Sequence, residues 1–187
     1  ANGAWVSIAG IYGNVVFKNF MIEKVEELFA FSLHYPVMKN VEWKMTSSSS
    51  SIAADWNTAS FADGSWNAVT LGSAPAVSGT QYFRKTFSGI PDMAAYEYEM
   101  NYRYGIIAYI NGAEVFRDHM TAGAVTTATA SDGAYDAYEY HGVIRPAGEV
   151  TGTSNVLAVE LHFPTMDENA VEFDAFVAAL ASSTAKT

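Results

Sequence analysis

Asn111-Gly112 lies between two apolar, β-favouring runs, Gly105-Ile106-Ile107-Ala108-Tyr109-Ile110 before it and Ala113-Glu114-Val115-Phe116-Arg117 after it. Both residues of an Asn-Gly pair tolerate the positive φ that a type I′ turn requires, so this pattern predicts a two-residue β-hairpin. One strand should end near Ile110 and the next should start near Ala113. A tight antiparallel hairpin near the middle of the chain needs further strands around it, because an isolated hairpin is marginal in water.

The flanking sequence supplies them. Tyr82-Phe83-Arg84-Lys85-Thr86-Phe87 reads as a strand with a basic centre. In Tyr96-Glu97-Tyr98-Glu99-Met100-Asn101-Tyr102-Arg103-Tyr104 the aromatics and Met share one parity and the polar residues the other, the period of a half-buried strand. In Asn155-Val156-Leu157-Ala158-Val159-Glu160-Leu161-His162-Phe163 the set Leu157, Val159, Leu161 and Phe163 faces one way, which predicts a central, buried strand. Ala158, Glu160 and His162 face the other way. Residues 41–46 and 172–180 read as two more strands, although the alanines of the second also suit a short helix. Many short strands, Gly-rich turns and no βαβ unit argue an all-β, antiparallel sandwich or jelly roll.

The first 40 residues are read as strands packing on the main domain or on a neighbour. Residues 13–20 follow a Gly turn. Residues 25–33 fit one helical turn as well as strand alternation, and the density of aromatics favours strand. Tyr35-Pro36 is expected to end that segment. Phe17, Phe20, Phe29 and Phe31 are too many aromatics for a solvated tail. Residues 41–180 then form the jelly roll and 181–187 a polar tail. Ser47 to Ser51 reads as a surface loop, and Trp56 and Trp66 as anchors of an ordered one.

Half of the 187 residues are hydrophobic and 14% are aromatic, so the chain packs a core. The formal charge is −10, which excludes nucleic acid as the main partner. No polybasic run suits an anionic membrane surface, and no apolar run reaches the roughly 20 residues of a spanning helix, so membrane insertion is not expected. Without cysteine there is no disulfide, thiolate zinc site or cysteine nucleophile. The chain opens on Ala1 rather than Met, which we read as a processed protein or a piece of a longer one.

Trp56 with Phe61-Ala62-Asp63-Gly64-Ser65-Trp66, then Tyr82 to Phe87, then Tyr109 to Arg117, then Asn155 to His162, taken in this order and spacing, resemble the galactose-binding-like β-sandwich domains. The resemblance covers roughly residues 41–180. It is nearest to non-catalytic jelly-roll modules of secreted proteins and more distant from the sugar-binding domain of family 2 β-galactosidases. It implies two antiparallel sheets, a glycan held by loops at one end, and a structural Ca²⁺ ion in many members. It also implies a secreted or cell-surface protein. Some members of the fold serve only as packing domains.

No nucleophile elbow, phosphate loop or paired metal-binding histidine is present, so no enzymatic activity is expected. The candidate ligand residues are Trp66, Arg84, Tyr104, Arg117 and His162. Arg84 and Arg117 fall on strands that the resemblance places side by side. Each is read either as an internal ion pair, for instance with Glu160, or as a donor to a sugar. His162 shares a face with Glu160, which suits an orienting hydrogen bond. Tyr96, Tyr98, Tyr102 and Tyr104, with Tyr135, Tyr138 and Tyr140, form either core or a stacking platform for pyranose rings. Glu97 and Glu99 face alike about 7 Å apart. Asp132 and Asp136 offer oxygen ligands for calcium without the EF-hand pattern. The ligand expected is a neutral glycan, bound weakly. The alternatives are a neighbouring protein domain or self-association in an extracellular assembly, or a non-catalytic piece of a glycosidase.

Overall fold

A computed structural model describes residues 34–47, 52–72, 79–164 and 172–181. The strands expected at 13–20 and 25–33, most of the serine run and the polar tail lie outside the described residues. Among the described residues ten strands form two antiparallel sheets. They are β1 (His34–Val37), β2 (Glu42–Ser47), β3 (Asn67–Thr70), β4 (Gln81–Phe87), β5 (Met93–Tyr102), β6 (Gly105–Ile110), β7 (Ala113–Asp118), β8 (Glu139–Pro146), β9 (Asn155–His162) and β10 (Asp174–Ala181). The four-stranded sheet runs β1-β10-β5-β8 and the six-stranded sheet β3-β2-β4-β9-β6-β7. Among the described residues the only helical turn is the 3₁₀ segment Ala147–Glu149. The fold is an all-β sandwich, as the alternating patterns predict.

The hairpin forms where turn chemistry places it. Ile110 pairs with Ala113, and Asn111 and Gly112 take φ of 51° and 92°. The Asn111 side chain adds a second function. Its Oδ1 accepts from Val156 N at 3.0 Å, and its Nδ2 donates to Asn155 Oδ1 at 2.9 Å and to Glu149 O at 3.2 Å. The turn is thereby tied to the start of β9.

The core lies between the sheets. Trp43, Met45, Phe83, Leu157, Val159 and Leu161 face Tyr96, Tyr98, Met100, Phe173, Val177 and Ala179 across it. The tyrosines of β5 therefore serve as core, because their parity points them at the facing sheet. The suggested tyrosine platform does not exist as one surface. Tyr135 leaves that set to hydrogen-bond Asp118 and stack on His141, and Tyr140 instead reaches Asp174 on the far side of the four-stranded sheet.

One other expectation is corrected. Tyr35-Pro36 does not end a segment but lies inside β1, which pairs with β10. An edge strand accommodates proline because one side of it needs no ladder donor. Residues 174–181 form a strand, as the sequence pattern predicts, and not the alternative short helix. Ala175, Val177 and Ala179 all enter the core, so tertiary burial overrides the helix preference of alanine.

Candidate functional site

The six-stranded sheet buries its inner face in the core, and its outer face carries the candidate site. Register places Thr46, Tyr82, Glu160, Ile107 and Arg117 in one row across β2, β4, β9, β6 and β7. The next row is Lys44, Arg84, Ala158, Tyr109 and Glu114. Parity alone sends these side chains outward, opposite to Phe83, Leu157 and Leu161. Two loops rise over them, residues 52–66 and 119–131. Between the loops is an open cavity of about 760 Å³. Tyr82, Tyr109 and Glu160 form its floor, Trp56 and Ile52 one wall, residues 122–127 the other, and Glu114 and Arg117 the rim.

Arg84 explains why residues 52–66 stand where they do. Its Nε donates to Asp63 Oδ2 at 2.9 Å, Nη1 to the carbonyls of Trp56 and Thr58, and Nη2 to Phe61 O at 3.3 Å. A guanidinium buried to this degree requires such partners. Its partner is Asp63 and not Glu160. Trp66 stacks on Trp56 at 6.3 Å and meets Phe61 edge-on at 5.7 Å, supporting the wall from outside. Trp56 then stands edge-on to Tyr82 at 4.9 Å and to Tyr109 at 5.6 Å.

The opposite wall is tethered by two buried residues. Thr80 Oγ1 donates to Thr127 O at 2.8 Å. His162 Nδ1 lies 2.7 Å from Thr129 O and 3.3 Å from Thr80 Oγ1. A carbonyl only accepts, so Nδ1 carries the proton. The other ring nitrogen, Nε2, faces Glu160 Oε2 at 3.4 Å, while Glu160 Oε1 accepts from the Tyr109 hydroxyl at 2.6 Å. Burial first, and that hydrogen bond second, push the Tyr109 phenol well above its ordinary pKa. Burial and the Glu160 charge do the same to Tyr82. Both remain protonated donors at neutral pH. At the rim Glu114 accepts from Arg117 Nε at 2.8 Å and Nη2 at 2.7 Å, and these bonds hold its carboxyl low.

The five sequence-derived candidates therefore separate. Arg117 lines the cavity, Trp66 and Arg84 support one wall, and His162 lies beneath the other. Tyr104 packs against Phe163 and the Arg103 guanidinium and does not line the cavity. Arg84 and Arg117 are not on neighbouring strands, because β9 and β6 intervene. Beyond those five, the cavity is lined by Ile52, Trp56, Tyr82, Tyr109, Glu114, Glu160 and residues 122–127, among others. The available signal was parity, since Tyr82 and Arg84 alternate with Phe83 in β4. Which strands would lie beside it was not written there.

Glu97 and Glu99 share the outer face of the four-stranded sheet, away from this cavity. Burial, then the neighbouring Glu97, raises the Glu99 carboxyl. Asp132 and Asp136 are both exposed. Among the described residues no three acidic or imidazole side chains converge as metal ligands.

No protein-family model matches the chain, and no curated protein matches it. Solved structures do match. A β-glucuronidase of Bacteroides uniformis aligns with 80% of this chain at a TM-score of 0.55 and 14% identity, over 18% of its own length. A glycosyl hydrolase family 2 member from Bacteroides cellulosilyticus aligns with 76% at 0.53 and 14%, over 20% of its length. A β-glucuronidase of Ruminococcus gnavus aligns with 80% at 0.53 and 12%, over 29% of its length. The chain thus spans less than a third of each of these glycosidases, and it has the β-sandwich fold of a part of them.

Proposed function

We propose that this chain is a non-catalytic module of a larger, secreted or cell-surface protein of glycosidase type, and that it binds neutral glycans weakly. Its fold recurs as a fraction of glycosidase chains, and no nucleophile motif accompanies it. One observation carries the glycan reading. Tyr82 is only 2% exposed as a residue, lines the cavity floor and lies edge-on to Trp56 at 4.9 Å. A phenol at the floor of an open cavity, able both to donate and to accept, suits a ligand rich in hydroxyl groups. Trp56 and Tyr109 supply apolar surface beside it for the C–H face of a sugar ring.

Calorimetric titration of the chain against neutral oligosaccharides, with and without calcium, tests this reading, together with a hydrolysis assay on chromogenic glycosides. Heat of binding without hydrolysis is the expected result. A second reading, a packing domain for a neighbouring domain or a second copy, is favoured by a different feature. Tyr35, Met38 and Ile144, the exposed large apolar side chains among the described residues, all sit at the edges of the four-stranded sheet. No heat with any sugar, together with self-association in solution, would select that second reading.

A further inference from the structure

Resting on the glycan reading, we propose that the cavity selects by charge: it accepts neutral pyranosides and rejects uronic acids, and Glu114 sets this selectivity by occupying Arg117. The β-glucuronidases of similar fold make uronides the natural rival ligand. A uronate carboxylate needs a cation or several N–H donors when it leaves water. Among the described residues Arg117 is the single basic side chain lining the cavity. Its Nε and Nη2 form a two-bond clamp on Glu114, and its Nη1 donates to Thr121 O at 2.9 Å. The planar fork that would receive a carboxylate already holds one.

The floor adds to the discrimination. Glu160 is only 5% exposed and presents a carboxylate directly below the ligand space. Two carboxylates therefore stand against one guanidinium in the lining. A uronate entering this space would meet a like charge in a partly desolvated setting. A neutral hydroxyl meets the Tyr82 phenol, which both donates and accepts. The formal charge of −10 slows the approach of anions further.

The test is titration of the whole chain with methyl β-D-glucopyranoside, methyl β-D-galactopyranoside and methyl β-D-glucuronide, in parallel for wild type, Tyr82→Phe and Glu114→Gln. Wild type should prefer a neutral glycoside over the glucuronide by about tenfold or more. Tyr82→Phe should weaken the neutral glycoside about three- to tenfold, the range of one lost hydrogen bond. Glu114→Gln should cut the neutral-to-glucuronide preference about tenfold, and the glucuronide affinity it gains should fall with added salt. Glu114→Ala serves as the second variant at this 41% exposed side chain. A wild type that binds glucuronide as tightly as the neutral sugars overturns the proposal, as does an unchanged preference in both Glu114 variants. Neutral binding insensitive to Tyr82→Phe overturns it while leaving the glycan reading intact. No binding of any sugar overturns both.

Discussion

At the scale of single residues, Asn111 does two jobs at once. Its backbone takes the left-handed conformation that closes the hairpin, and its amide continues the ladder to Val156 and Asn155. Asn111→Ala keeps the chain length but loses both. We expect a loss of about 2–3 kcal/mol, from one strained left-handed residue and the buried bonds. Urea denaturation measures this, and a change under 0.5 kcal/mol would mean the side chain contributes little. Gly142 is constrained for a different reason. A Cβ there would lie 1.9 Å from Tyr98 O, so β8 could not stay paired to β5. The hairpin was legible in the sequence because both of its determinants are local. The need for glycine at 142 was not, because the obstructing carbonyl belongs to a strand more than forty residues away.

Among the elements, β9 illustrates how far a pattern can be read. Its alternation correctly places Leu157, Val159 and Leu161 in the core, and Leu161→Ala should cost about 2–5 kcal/mol in thermal or chemical unfolding. For the opposite face the alternation says only that it points away from that core. In the structure Val156, Ala158, Glu160 and His162 are buried too, because two loops cover that face. Covering by loops leaves no periodic trace, so the cavity between them could not be seen in advance, although Glu160 and His162 were noticed as a pair. The loop at 52–66 depends on Arg84. Arg84→Met retains apolar volume but strands Asp63 and three carbonyls. It should lower stability by about 3 kcal/mol. It should also expose Trp56 and Trp66, read as a red shift of indole fluorescence. Unchanged fluorescence in the folded variant would show that the stacked indoles hold the loop unaided.

For the molecule as a whole, acid stability should rest partly on Asp118. Burial works to raise its carboxyl, but hydroxyls of Tyr102 at 2.5 Å and Tyr135 at 2.7 Å, with the His119 amide at 2.9 Å, outweigh it and hold the group below its ordinary 3.8. A carboxyl held low contributes its stability in full above the unfolded value and loses it as pH falls through the folded one. Melting temperature should therefore drop on acidification below about pH 4, and Asp118→Asn should be less stable at neutral pH with a flatter acid limb. Equal acid slopes for the two proteins would place the sensitivity elsewhere. The segment anchored by this carboxylate has one further consequence. Its fixed points are Asp118 at one end and Thr127 and Thr129 further along, while Ala122-Gly123-Ala124-Val125 between them presents small side chains and backbone to the cavity. The part of the wall nearest a ligand is thus the part with least responsibility for the fold. Gly123, at φ 96°, is the one of these four that other residues would strain, so sequence drift at Ala122, Ala124 and Val125 would diversify what is recognised at little cost in stability, and libraries randomised at these three positions should yield folded variants with new specificities.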